Sequence, residues 1–283
     1  MYKTIDLLEL NKDKLNWRWL STNPSALYLL EQNPSRIDWY CLSENSTAMH
    51  LIRNTNINWN RLSENPSAIL LLEANPDRIN WTFLSRNPLG IPLLEANRDR
   101  INWKGLSTNP AAIHLLEANR DKISWYWLSG NPSAISLLEA NQYKINWNHL
   151  SANPSAMPLL EATQDNINWG VLSGNPSAMP LLEVNQDKIN WSALSQNPSA
   201  MHLLEANIDR ICWRSLSRNP AAIHLLEANQ DKINWMYLSL NPNITTYDYK
   251  SMYKTMWKEN GLANQLMEYI YHPRNMHKWE DDD

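Results

Sequence analysis

Glycine and cysteine are scarce in this chain, phenylalanine is nearly absent, and no long apolar run occurs anywhere in it. Each shortage excludes something. The six glycines, Gly90, Gly105, Gly130, Gly170, Gly174 and Gly261, are scattered, so neither a phosphate-cradling loop nor a strained nucleophile turn can be assembled from them. Cys41 and Cys212 lie far apart and suggest neither a disulfide framework nor a thiolate metal site. The first fourteen residues mix charged and apolar side chains, unlike a signal peptide or a membrane span. These absences together point to an intracellular protein that is neither secreted nor membrane-bound. A net charge of -4 gives no polybasic attraction to nucleic acid or anionic lipid.

Against one phenylalanine stand fifteen tryptophans, a bias that marks a small module copied many times. Eleven of them fall in register, at Trp17, Trp39, Trp59, Trp81, Trp103, Trp125, Trp147, Trp169, Trp191, Trp213 and Trp235, at intervals of 22 residues with one interval of 20 between Trp39 and Trp59. The unit reads Ile-Asn-Trp-x-x-Leu-Ser-x-Asn-Pro-Ser-Ala-Ile-x-Leu-Leu-Glu-Ala-Asn-x-Asp-Lys, and copies run from about Leu7 to Pro242.

Within a unit, Asn131-Pro132 is a helix-start signal, since asparagine caps a free backbone N–H and proline at the first position gives up a hydrogen bond that is not made there. Ala134, Ile135, Leu137, Leu138 and Ala140 then share one face, which predicts a short α-helix over Pro132 to Ala140. Pro92, Pro158 and Pro180 stand four residues after the first proline, and there the helix is expected to start late or open as 3₁₀. The stretch from Lys144 to Ser151, with Ile145, Trp147 and Leu150, suits a single 3₁₀ turn or a very short helix. A lone unit buries five or six side chains, at about 1.5–3 kcal/mol each, against roughly 1.5 kcal/mol of ordering entropy per residue. Stacking is therefore obligatory, and the expected fold is an all-α, elongated solenoid on the order of 100 Å long. The predicted organisation is an N-terminal half repeat or cap over 1–16, the solenoid over 17–242, and a helical cap with an acidic tail over 243–283. Uncapped ends would associate end to end.

Leu128-Ser129-x-Asn131-Pro132 followed by Ile135-x-Leu137-Leu138-Glu139-x-Asn141 resembles the leucine-rich repeat variant. That resemblance implies a right-handed solenoid alternating 3₁₀ and α-helices, although that family's repeats are slightly longer. The near-verbatim copies, with Tyr247-Asp248-Tyr249 and the segment His272 to Trp279, resemble repeat proteins of large amoeba-infecting DNA viruses. This implies a viral protein working inside a host cell or virion, and carries no activity and no residue roles.

Several ladders invite chemistry. The tryptophans recur beside Ile and Leu, as core requires, whereas Trp19 and Trp127 lie at a variable position and are expected to be exposed. His50, His114, His202 and His224 share a slot, but adjacent copies sit about 8–10 Å apart, too far to share a zinc ion that needs ligands at roughly 2 Å. They read as solvent-facing fillers. The glutamates from Glu73 to Glu227 read as surface pairing. The basic series Arg100, Lys122, Lys144, Lys188, Arg210 and Lys232 is shadowed by Asp99, Asp121, Asp187, Asp209 and Asp231, which weakens any field for phosphates. Three asparagines per unit, such as Asn102, Asn109 and Asn119, are expected to satisfy turn backbone.

Variation concentrates at the two positions after each ladder tryptophan. Arg18, Trp19, Tyr40, Arg61, Phe83, Lys104, Tyr126, Trp127, His149, Arg214 and Tyr237 give that strip an aromatic and arginine content typical of binding hot spots. The sequence thus predicts a non-catalytic protein-binding scaffold with no cofactor and no metal. Its alternatives are a structural or self-assembling role and, on charge grounds not expected, nucleic-acid binding.

Overall fold

In the computed structural model, residues 2–52 and 57–247 are described, with side chains from Ile5 to Thr245. The repeated unit is a circuit of four short segments. In the sixth unit these are a Trp helix (Trp125–Leu128), a Pro turn of 3₁₀ helix (Pro132–Ala134), a Leu helix (Ile135–Glu139) and a Lys turn of 3₁₀ helix (Gln142–Lys144).

The single α-helix expected over Pro132 to Ala140 is thus two segments. The Asn131 side chain accepts from the Ser133 N–H and starts a 3₁₀ turn. Ala134 at φ -97° and ψ 8° breaks the path before α geometry resumes. This happens in every unit with an Asn-Pro start from Pro24 to Pro220, not only in those with a second proline. Pro92, Pro158 and Pro180 fall at the first positions of the Leu helix, where the missing N–H is no loss. The second unit departs from the pattern, with the 3₁₀ turn Met49–Leu51 where the others carry a Leu helix. The 20-residue interval belongs to this unit; Arg53 to Asn56 lie outside the described residues.

Each unit sends Leu128, Ala134 and Leu138, or their equivalents, fully into the core, except the second, whose Ile52 is only partly buried. The ladder tryptophans only pack against that core, half-buried. Two polar motifs lock neighbouring units together. The Ser129 hydroxyl donates to the Trp125 carbonyl at 2.8 Å and accepts from the Asn146 N–H of the next unit at 2.9 Å. The Asn131 amide donates to the carbonyls of Ser107 and Asn109 in the preceding unit, both at 3.1 Å. Both groups are buried, and their bonds satisfy carbonyls and an N–H that the short helices leave open.

The same bonds join the first unit to the last. The Asn16 N–H donates to the Ser239 hydroxyl at 2.9 Å, and the Asn23 amide donates to the carbonyls of Ser239 and Asn241 at 3.0 and 2.9 Å. Strand β1 (Tyr2–Thr4) pairs antiparallel with β2 (Thr245–Tyr247), and the Ile5 N–H continues the ladder to the Ile244 carbonyl at 3.1 Å. The eleventh unit is therefore assembled from both ends of the described chain. Residues 233–244 supply its Trp helix and Asn-Pro start, with Ile244 buried where alanine is usual. Residues 5–15 supply its Leu helix and Lys turn. There Asn11 donates to the Leu7 carbonyl at 2.8 Å, as Asn141 does to Leu137.

The solenoid is thus a closed ring, which corrects the expectation of an elongated rod. Because seam and interior bonds have matching lengths, successive units are related by nearly pure rotation, about 33° per step for eleven equal steps around a circle. Residues 5–15 complete a unit and do not cap an end. The ends expected to drive self-association are consumed by each other. The helices expected after Tyr247 lie outside the described residues.

Candidate binding surface on the inner wall

The direction of curvature follows from which segments crowd. Neighbouring Trp helices, such as Trp17–Thr22 with Trp39–Leu42 and Trp103–Thr108 with Trp125–Leu128, lie against one another, as do neighbouring Pro turns, whereas Leu helices are spread more widely. Serine and alanine fill the narrow side of each wedge and leucine pairs fill the wide side. The Trp helices therefore line the inside of the ring. A cavity of about 830 Å³ confirms the concavity, because Arg218, Tyr237, Trp19, Glu44 and Arg61, from five consecutive units, share it across the seam. With about 8–10 Å between helix axes and a helix radius of about 5–6 Å with side chains, eleven units enclose a bore roughly 20 Å wide.

Each wall residue is set by its place on a Trp helix. The asparagine before the tryptophan caps the helix: Asn16 accepts from the Trp19 N–H at 3.1 Å and Asn146 from the His149 N–H at 3.0 Å. Two positions after the tryptophan and the one after serine then face the bore. All eleven residues singled out in the sequence occupy this wall. They meet in small groups. Tyr126, Trp127 and His149 form a cluster with ring centroids 4.3–5.1 Å apart, and Lys104 lies over Trp127 at 5.2 Å. Arg61 pairs with Glu44 and lies 5.9 Å from the Tyr40 ring. Arg214 donates to the Tyr237 hydroxyl at 3.1 Å and lies 5.0 Å over its ring. Trp19 is 38 % exposed; Trp127, also expected to be exposed, is half-buried by its neighbours. A second cavity, of about 460 Å³, joins Tyr40, Arg61 and Phe83.

The position after serine, passed over in the sequence reading, adds Glu44, Glu64, Arg86 and Arg218 to the wall. Their signal was present: the slot varies as freely as the other two. With them the wall carries six cations, Arg18, Arg61, Arg86, Lys104, Arg214 and Arg218, against the carboxylates Glu44 and Glu64, in a chain whose net charge is -4. A basic concave face therefore exists, which the basic series in the sequence did not disclose. The Arg18 guanidinium is held above its ordinary value, first by a hydrogen bond to the Cys41 side chain and then by the charges of Cys41 and Asp38.

The ladders have other places. Each cation of the basic series lies over the tryptophan that opens its own unit, as Lys122 does over Trp103 at 4.7 Å and Arg210 over Trp191 at 4.3 Å. Lys14 repeats the contact across the seam on Trp235 at 5.0 Å. The histidines are exposed but not mere filler: His50, His114, His202 and His224 each set Nε2 2.9–3.2 Å from a glutamate of the preceding unit. Their partners are Glu31, Glu95, Glu183 and Glu205, so the glutamate ladder pairs with histidine in these copies. Among the described residues no three His, Cys, Asp or Glu groups are placed to hold a metal ion, and no helix is long and apolar enough to cross a membrane. Cys212 stands where asparagine caps most Trp helices. Burial pushes its thiol up, but hydrogen bonds from Ser215, Ser192 and the Arg214 backbone outweigh this and leave it below the ordinary value.

Comparison of the chain with family models, with curated proteins and with solved structures gives no match.

Proposed function

We propose that the chain is a non-catalytic scaffold, a closed ring that holds a protein partner against its inner wall. The observation that carries this reading is the division of labour along each unit. Positions facing the core or the neighbouring unit repeat almost verbatim, while the freely varying aromatic and arginine positions converge on one concave surface. Rigid support beneath a variable surface rich in Trp, Tyr and Arg is the arrangement of a binding site with hot spots. An enzyme would need convergent polar groups of different kinds at one place, and the repeated ladders supply the same groups at every unit.

The test compares capture by the wild-type ring with capture by a W19A/Y126A/W127A variant, using quantitative mass spectrometry after nuclease treatment. The expected result is a defined set of proteins depleted about tenfold or more with the variant, since a hot-spot truncation costs about 2 kcal/mol or more. A Tyr143→Ala control, on a side chain 83 % exposed away from the wall, should retain them. Equal recovery with all three proteins would overturn the reading and favour a structural ring without a recognition surface.

A further inference from the structure

Resting on that reading, we propose that the bore holds an acidic peptide segment of the partner, seated on a basic arc of the wall. The cations are not spread evenly. Arg214 and Arg218 stand in the tenth unit, Arg18 in the first, Arg61 in the third, Arg86 in the fourth and Lys104 in the fifth. Units six to nine present no formal charge at the same three positions, and several of their residues are small: Gly130, Ala152, Gly170, Gly174 and Ala193. The arc therefore faces an uncharged and roomier wall.

Two of the cations are already engaged, Arg61 with Glu44 and Arg86 with Glu64 at 3.9 Å. Lys104, Arg214 and Arg218 make no ion pair with a carboxylate among the described residues, and Arg18 has only the nearby charge of Asp38. Since the rest of the chain is acidic, the field is attractive to an anion only within the bore, where a low-dielectric wall concentrates it. A short acidic segment profits from that geometry, whereas a long polyanion also meets the negative exterior.

The aromatic rings decide between peptide and nucleic acid. Single-stranded nucleic acid binds by stacking bases on open ring faces. Here Lys104 lies over Trp127, Arg61 near Tyr40, Arg86 at 5.6 Å from Phe83 and Arg214 over Tyr237. With a cation on one face of each of these four rings, the rings position cation heads for carboxylates, while Trp19 and Tyr126 stay open to solvent. A bore of roughly 20 Å admits an extended segment or one helix, which is about 10–12 Å wide with side chains.

The experiment is fluorescence anisotropy at low ionic strength with a fluorescein-labelled Glu-Ala repeat peptide of about fifteen residues. The wild-type ring is compared with R18E/R214E/R218E and with the charge-matched R78E/R98E/R120E, which alters exposed Lys-turn residues outside the bore. Circular dichroism verifies that each variant is folded. The expected result is salt-sensitive binding to wild type, retained by the outer variant and weakened about tenfold or more by the wall variant. No binding to wild type, or equal loss in both variants, overturns the proposal. Tighter binding of an oligothymidylate of matched charge overturns it in favour of nucleic acid. Partner capture that depends on Trp19, Tyr126 and Trp127 but is indifferent to the wall charges would remove the acidic occupant and leave the protein-binding scaffold standing.

Discussion

At the scale of single residues, the ring rests on buried polar groups whose bonds all have definite donors and acceptors. Asn131 is the clearest case, with its Nδ2 donating to two carbonyls of the preceding unit and its Oδ1 accepting from Ser133 at 3.0 Å. Asn131→Asp keeps the shape and the acceptor but removes both donors, and places a carboxylate against two carbonyl oxygens in a buried site. The expected cost is about 3–5 kcal/mol, the range for an uncompensated buried charge, read as a lowered urea midpoint that recovers partly at acid pH, where the carboxyl is protonated and one donor returns. A loss under about 1 kcal/mol would mean that the ladder is wet and replaceable. The asparagine rows were legible in the sequence as backbone-satisfying, because a polar residue recurring among leucines requires a structural partner. Which carbonyls they reach was not, because those belong to the preceding unit and depend on how the two stack.

At the scale of elements, no helix among the described residues lasts more than six residues, far below the length at which a helix persists alone in water. Caps and neighbours must supply what length does not. Nine Trp helices have a capping asparagine or aspartate that accepts from their first turn, as Asn102 does from Gly105 at 2.8 Å and Asp38 from Cys41 at 2.9 Å. Ser124 occupies the same place without such a bond, and Cys212 offers the Ser215 N–H only a sulfur, a weak acceptor. Cys212→Asn should therefore supply a stronger, oxygen acceptor for the Ser215 N–H and raise stability by about 0.5–1 kcal/mol, the usual worth of an N-cap, seen as a shifted thermal or urea midpoint; an unchanged or lowered midpoint would show that the thiol already serves fully as the cap. The helix starts were readable because Asn-Pro is a local signal. The division of the expected helix at Ala134 was not, since a 3₁₀ turn and an α-turn place the same apolar residues on nearly the same face. The tryptophans were half readable: their apolar neighbours declared the packed side, but the cation over the other face comes from 19 residues further on, at the far end of the same unit.

For the whole molecule, the decisive fact is one that repeat counting cannot supply. Eleven wedges stacked with a small pitch would make a superhelix, and eleven stacked without pitch make a ring; the sequence of a single unit is the same in both. The hint lay at the termini, where Ile5-Asp6-Leu7-Leu8-Glu9 reads as the half unit missing after Asn241-Pro242-Asn243-Ile244. Closure has a direct test. Thr4 and Thr245 face each other across the antiparallel pair, next to the bonded pair of Ile5 and Ile244, and so stand at a non-hydrogen-bonded site where Cα atoms lie about 4.5 Å apart. Thr4→Cys combined with Thr245→Cys should oxidise to an intramolecular disulfide, identified by peptide mapping of a monomeric species. A covalent loop closed around so much of the chain should stabilise the fold by on the order of 5 kcal/mol in the chain-entropy account, measured as a reversible gain lost on reduction. Cross-links formed only between molecules, or a disulfide that forms and lowers the midpoint, would show that the ends do not meet in solution. The bore, and both binding proposals that depend on it, would then fall together, because an open superhelix spreads the same arginines over a groove with no opposite wall.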